Sequence, residues 1–140
     1  MSTIYRPPWD EYFLGIAVSV SARADCVRRR VGAVVVVDRR IRATGYNGTA
    51  PGEPGCEACP RSKMTYDQVP LGSSYKAEGP GRCYATHAEE NALNYCDEED
   101  LIGATLYLTT NPCDDCQELI REAGIARVVW PEGEWIVEQG

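Results

Sequence analysis

The segment Ala104-Thr105-Leu106-Tyr107-Leu108-Thr109-Thr110-Asn111-Pro112-Cys113-Asp114-Asp115-Cys116 joins a predicted strand to a predicted helix. Ala104 to Thr109 is rich in apolar, β-branched and aromatic residues, which predicts the strand. Asn111-Pro112 opens the helix, because proline is favoured at the first helical position. The apolar face of this helix is formed by Cys116, Leu119, Ile120 and Ala123. Gly124 is its expected C-cap, and Ala126 to Trp130 is predicted to form the next strand.

A helix and a hairpin are predicted towards the N-terminus. Asp10 is expected to cap the helix, which reaches about Ala24 and has apolar residues at helical spacing. Val31 to Val37 and Ile41 to Tyr46 are strand-like runs separated by a polar break. We expect these two runs to form a hairpin that is buried on both faces.

Another helix is predicted to start near His87 and to end in the acidic turn Asp97-Glu98-Glu99-Asp100. Its apolar face is formed by Ala88, Ala92 and Cys96. The segment from Gly48 to Cys83 is rich in Gly, Pro and polar residues. Its length predicts a loop that has a functional role or is held in place by a bound metal ion. The whole order of helix, hairpin, loop, helix, strand, helix and strand predicts an α/β fold with a central mixed sheet covered by helices.

Length and charge limit the classes of protein that fit. A chain of 140 residues suits a single domain spanning residues 1–140. Its 14 Lys+Arg against 21 Asp+Glu give a net charge of -7, which disfavours a protein that binds a long stretch of nucleic acid. No apolar run approaches the roughly 20 residues of a membrane span. The prolines Pro7 and Pro8 interrupt the place of a signal peptide, so we expect a cytoplasmic protein.

The chemistry is indicated by His87-Ala88-Glu89 together with Pro112-Cys113-Asp114-Asp115-Cys116. This H-x-E and P-C-x-x-C pairing is a known signature of zinc deaminases. Cys113 and Cys116 lie three residues apart at a helix start, where the helix dipole and free N–H groups favour thiolates. With His87 they offer three ligands to Zn²⁺ and leave the fourth position to water, whose pKa falls toward about 7. Glu89 is then placed to shuttle a proton during hydrolytic deamination.

The same residues also allow less specific interpretations. His87 is the only histidine, and a lone histidine is more often structural than a metal ligand. A C-x-x-C pair alone also fits half of a zinc ribbon or a redox pair. Neither interpretation explains Glu89 at this spacing, so we favour a catalytic zinc site.

Four further cysteines, Cys26, Cys56, Cys59 and Cys83, are candidate ligands of a structural Zn²⁺. Such a site would fix the long loop over the active site. The alternative is that Cys26 is simply an apolar residue buried in the core, and that Cys56 and Cys59 of the loop do not form a complete metal site. Cys96, on the apolar face of its helix, is expected in the core.

The chain resembles the bacterial or phage-type deoxycytidylate (dCMP) deaminases of the cytidine deaminase superfamily, from Arg6 to Pro131. Besides the zinc motifs, the segments that carry the resemblance are Arg6 to Phe13, Cys26 to Val34, Thr44 to Thr49 and His87 to Ala92. The resemblance implies a three-layer α/β/α fold, often hexameric, and hydrolysis of the small nucleotide dCMP to dUMP and ammonia. It also implies allosteric control in a homo-oligomer, with dCTP and Mg²⁺ as activator and dTTP as inhibitor.

The same resemblance assigns roles to individual residues. His87, Cys113 and Cys116 would hold the catalytic zinc, and Glu89 would be the proton shuttle. Asn47 would contact the sugar or base of the nucleotide, although an ordinary Asn-Gly turn is an equally simple explanation of this residue. Cys26 and Cys56 match two structural zinc ligands of the relatives.

Three alternatives to a dCMP deaminase stay open at this point. The loop from Thr49 to Arg82 departs from the family's sequence, which leaves a nucleoside, a modified pyrimidine nucleotide or guanine as alternative substrates. A polynucleotide-editing deaminase is disfavoured by the acidic charge balance. The third alternative is a non-catalytic, zinc-stapled interaction protein.

Overall fold

A five-stranded mixed sheet forms the centre of the computed structural model, which describes residues 4–24, 30–48 and 87–138. The strand order is β2-β1-β3-β4-β5, with β3 and β4 parallel and the other neighbours antiparallel. The strands are β1 (Gly32–Val37), β2 (Arg40–Tyr46), β3 (Thr105–Leu108), β4 (Arg127–Trp130) and β5 (Gly133–Ile136). The helices are α1 (Trp9–Ser21), α2 (Ala88–Asn94), α3 (Glu98–Leu101) and α4 (Asp114–Ala123).

Both faces of the sheet are covered, because alternate residues of a strand point to opposite faces. On one face, the buried residues that pack together include Ala33, Val35, Leu106 and Val128 of the strands with Ala88, Ala92, Leu101 and Ile120 of the helices. On the other face, Val34, Val36, Tyr107 and Val129 pack with Phe13 and Ala17 of α1. Helices therefore lie on both sides of the sheet, and the predicted three-layer α/β/α fold is confirmed.

The hairpin was predicted correctly in position but wrongly in burial. β1 is buried over nearly its whole length, whereas most residues of β2 are exposed. Among the described strands, β2 is at the edge of the sheet, so one of its sides pairs with none of them. Asp38 and Arg39 connect the strands with φ values of 51° and 62°, as in a two-residue type I′ turn.

The start of the first helix also differs from the prediction. The N-cap is Pro8 and not Asp10, which lies within the first turn of α1. Both carboxylate oxygens of Asp10 accept hydrogen bonds from Arg127, at 2.9 and 2.7 Å, and the Tyr107 hydroxyl donates to Oδ1. These bonds hold the pKa of Asp10 below its usual range, with Arg127 as the largest cause. Asp10 thus ties α1 to the sheet, which is a tertiary role that a capping rule does not predict.

Two short elements were not predicted. The residues expected to form an acidic turn instead contain α3, for which Asp97 is the N-cap. β5 follows Pro131 after a tight turn and pairs with β4 from Trp130↔Gly133 to Arg127↔Ile136. None of the helices within the described ranges is long and apolar enough to cross a membrane.

Candidate metal centre and active site

Four chemically active side chains meet where two helices begin. The ligand atoms of His87, Glu89, Cys113 and Cys116 all lie within 4.8 Å of one another. His87 is the N-cap of α2, and Cys113 is the N-cap of α4. Cys116 lies in the first turn of α4 and is buried. The structure therefore brings together the H-x-E and C-x-x-C motifs, which are separated in the chain by α3 and β3.

The donor atoms fit a tetrahedral zinc ion. Nδ1 of His87 lies 3.1 Å from Sγ of Cys116 and 3.4 Å from Sγ of Cys113. A tetrahedral Zn²⁺ with the usual bond lengths separates nitrogen and sulfur ligands by roughly 3.5 Å. A donor set of one imidazole and two thiols also binds zinc in preference to Mg²⁺ or Ca²⁺. Only a small outward shift would admit the ion.

The two cysteines shift each other's pKa in opposite directions. Hydrogen bonds from the Cys116 thiol and from His87 lower the pKa of Cys113 well below its usual range. The hydrogen bond to Cys113 in turn raises the pKa of Cys116, and burial adds to this effect. Burial alone would lower the pKa of His87, but its hydrogen bond to Cys113 and the nearby negative charges outweigh that effect and raise it. A cation bound between these side chains would take the place of their protons, because zinc binds cysteine as the thiolate.

Glu89 is a buried carboxyl group, with 4% of its surface exposed. Burial is the largest cause that raises its pKa above the ordinary value. Charged residues are seldom this buried unless they are paired or bind a ligand. A carboxyl group that gains and loses a proton easily beside a metal site is suited to acid–base chemistry.

The helix that carries His87 and Glu89 lies very close to β2. A Cβ atom added at Gly45 would overlap the backbone nitrogen of Ala92 and the backbone carbonyl oxygen of Ala88. Both alanines are fully buried. The absence of a side chain at Gly45 therefore sets the distance between α2 and the sheet.

Gly45→Ala is expected to destabilise the fold by about 1–3 kcal/mol, because the added methyl group meets rigid backbone and α2 must move. The moving helix carries the candidate metal ligand His87, so zinc affinity should fall as well. Urea unfolding and zinc titration measure the two effects. The control is Gly15→Ala on α1, where an added Cβ meets no atom of the described residues within 4 Å apart from the helix's own backbone. An equal effect of the two substitutions would contradict the close packing at Gly45.

Asn47 lies just after β2 and is buried. Its Oδ1 accepts a hydrogen bond of 2.8 Å from the backbone nitrogen of Val31, so part of its side chain has a structural role. The preceding residue, Tyr46, accepts a 2.7 Å hydrogen bond at its carbonyl from Nδ2 of Asn91. The segment around Asn47 is thereby attached both to the start of β1 and to α2.

Two positioning contacts were missed by sequence reasoning. One is the Asn91 hydrogen bond, and the other joins Nε2 of Gln117 to the carbonyl of Pro112 at 3.2 Å, next to Cys113. Both amides lie one helical turn after a metal-ligand candidate, His87 or Cys113, which is a signal that could have been used.

The other cysteines divide into two groups. Cys26, Cys56, Cys59 and Cys83 lie outside the described residues. Cys96 is half-buried at the C-terminal side of α2 and packs against the core, as expected.

Comparison with known proteins places this arrangement in a family. Residues 7–132 match the family described as the cytidine and deoxycytidylate deaminase zinc-binding region. The chain is 58% identical over 127 residues to the deoxycytidylate deaminase of Mycobacterium phage D29, covering 91% of this chain and 97% of that protein. It is 38% identical over 140 residues to the deoxycytidylate deaminase of Saccharomyces cerevisiae, covering 94% of this chain but 40% of the yeast protein.

A solved structure has the same architecture. The dCMP deaminase of cyanophage S-TIM5, described in complex with dCMP and dUMP, superposes with a TM-score of 0.61 at 29% identity. The match covers 89% of this chain and 82% of the cyanophage chain. The zinc-fitting geometry, the sheet with helices on both faces and these matches agree, and the chain belongs to the cytidine and deoxycytidylate deaminase family.

Proposed function

We propose that this protein hydrolyses dCMP to dUMP and ammonia. The observation that carries the proposal is the cluster that His87, Glu89, Cys113 and Cys116 form at two helix starts, in which Glu89 and Cys116 are buried. The substrate is supported by the phage D29 relative, which is named a deoxycytidylate deaminase and which the chain spans over 97% of its length. The cyanophage structure with dCMP and dUMP gives the same support.

His87, Cys113 and Cys116 would hold the zinc ion, since they supply the imidazole and thiolate donors that zinc prefers. When bound, zinc supplies the Lewis acidity that makes water reactive near neutral pH. The helix starts at Cys113 and His87 direct free backbone N–H groups and the positive end of each helix dipole towards this region. Both features favour the thiolate forms that bind metal.

Glu89 would move the protons of the reaction. Its carboxylate takes a proton from the attacking water and delivers it to the ring nitrogen beside the carbon that carries the amino group. After addition, the same carboxyl group passes a proton from the new hydroxyl to the departing amino group, which leaves as ammonia. One water is consumed, and Glu89 returns to its initial state. Its burial keeps bulk water from competing for these protons.

Asn47 would contact the sugar or base of the nucleotide. The side-chain amide is held by Val31, and the following Gly48 has no side chain to obstruct an approaching ligand. An amide fixed in this way offers a preformed polar contact, which loses little entropy when the substrate binds.

The proposal extends to features that the described residues do not include. These are a second, structural zinc on Cys26, Cys56, Cys59 and Cys83, a homo-oligomer such as a hexamer, and a nucleotide effector bound with Mg²⁺. We also propose a single domain that acts in the cytoplasm. Support for these features comes from the family resemblance. The net charge of -7 supports a free nucleotide, and not a polynucleotide, as the ligand.

A substrate panel tests the proposal. Ammonia release is measured with dCMP, deoxycytidine, CMP, dCTP and guanine. We expect kcat/KM for dCMP to exceed that for deoxycytidine by about 10²–10⁴, because a site built to bind a polar group rejects the analogue that lacks it. Activity on another member of the panel without activity on dCMP would overturn the proposed substrate and keep the deaminase chemistry.

A further inference from the structure

Asn91 connects the helix of the metal centre to the segment that precedes Asn47. Its backbone nitrogen donates a 2.9 Å hydrogen bond to the carbonyl of His87, so it lies one turn along α2 from that metal-ligand candidate. Its side-chain Nδ2 donates a 2.7 Å hydrogen bond to the carbonyl of Tyr46. The side chain of Asn91, one turn along α2 from His87, thus binds the backbone of the residue that precedes Asn47.

The segment held by this hydrogen bond also has a second attachment. Asn47 accepts a hydrogen bond from the backbone nitrogen of Val31 at 2.8 Å, and its own backbone nitrogen donates to the carbonyl of Val31 at 3.4 Å. These bonds join Asn47 to the start of β1, but they do not connect it to α2. The hydrogen bond from Asn91 links the segment around Asn47 directly to the helix that bears Glu89.

Packing between α2 and β2 restrains the position of the helix less specifically than a hydrogen bond does. Close packing of Gly45 against Ala88 and Ala92 sets how near the helix approaches the sheet. The close contacts at Gly45 are with backbone atoms of Ala88 and Ala92, and van der Waals contact of this kind has little directional preference. A directional hydrogen bond from Asn91 to the next residue, Tyr46, supplies the more specific restraint.

We propose that Asn91 is a positioning residue for substrate binding, which holds Asn47 in register with Glu89 and His87. This inference rests on the proposed function, because it takes Asn47 as a substrate contact. Asn91 acts through the carbonyl of Tyr46 and needs no contact with the nucleotide itself. Its loss would let the segment around Asn47 move relative to the metal centre.

The test compares Asn91→Ala with the matched control Asn94→Ala, whose side chain is exposed at the end of the same helix. We expect Asn91→Ala to raise KM for dCMP about tenfold with a smaller change in kcat, which corresponds to the loss of one partly buried hydrogen bond. Zinc content should stay at the wild-type level. Asn91→Gln keeps the amide donor and should recover part of the loss in KM.

A second measurement does not depend on turnover. Amide hydrogen exchange at Asn47 should become about tenfold faster in Asn91→Ala and remain unchanged in Asn94→Ala. Unchanged exchange and unchanged KM in Asn91→Ala would overturn the inference, and so would a loss confined to kcat or zinc content. If wild-type protein does not act on dCMP, the proposed function fails, whereas faster exchange at Asn47 would still support the positioning contact.

Discussion

Glu89→Gln is expected to reduce kcat for dCMP by about 10²–10⁴ while the fold and the zinc content stay unchanged. The amide has nearly the same shape as the carboxyl group but cannot accept and release the proton that the reaction moves. Stability should not fall, because the substitution removes an ionisable group from a position that is 4% exposed. Steady-state kinetics, zinc analysis and thermal unfolding of the same preparation measure all three quantities.

The matched control is Glu118→Gln, an exposed position on α4. It makes the same chemical change outside the metal centre and should keep wild-type kcat. Wild-type turnover in Glu89→Gln would remove Glu89 from the mechanism. Loss of zinc together with activity would instead make Glu89 a structural support of the metal.

Cys116→Ser is expected to lose the catalytic zinc and with it all measurable turnover. Sγ of Cys116 is buried, and the smaller, harder hydroxyl oxygen that replaces it is a poor zinc ligand in this geometry. Wild-type protein should contain two zinc ions per chain if the structural site exists, and Cys116→Ser should then retain one. Zinc is counted by atomic emission after exhaustive dialysis.

Cys96→Ser provides the control for this experiment. Cys96 is half-buried at the edge of the core and outside the group of ligand atoms, so its substitution should leave zinc content and kcat unchanged. Cys116→Ser with full zinc content and full activity would contradict the ligand assignment. One zinc per wild-type chain would remove the structural site and leave the catalytic site intact.

The fold was predictable wherever a pattern repeats within one element. In β1, Ala33 and Val35 face one side of the sheet, and Val34 and Val36 face the other. The structure shows both sides covered. Gly124 adopts φ 86° at the end of α4, as a C-cap glycine should. The exposed β2 was not predictable, because a run of residues does not reveal whether its strand lies at the edge of a sheet.

The site was predictable to the extent that its residues follow motif spacing. His87 with Glu89 and Cys113 with Cys116 lie in two motifs whose chemistry makes sense only if they meet. Gly45 and Asn91 were not assigned a role in advance, because that role depends on contacts between α2 and β2. The role of Asp10 was not predictable either. Its position suggested an N-cap, whereas its partner in the structure is Arg127, which is distant in the sequence.

The most direct test of the metal centre is a crystal structure of the purified protein with anomalous diffraction measured on both sides of the zinc absorption edge. We predict a zinc peak about 2.3 Å from both sulfurs of Cys113 and Cys116 and about 2.0–2.1 Å from Nδ1 of His87, with a non-protein fourth ligand. A site without zinc, or one whose fourth ligand is a protein side chain, would contradict the deaminase chemistry proposed for this protein.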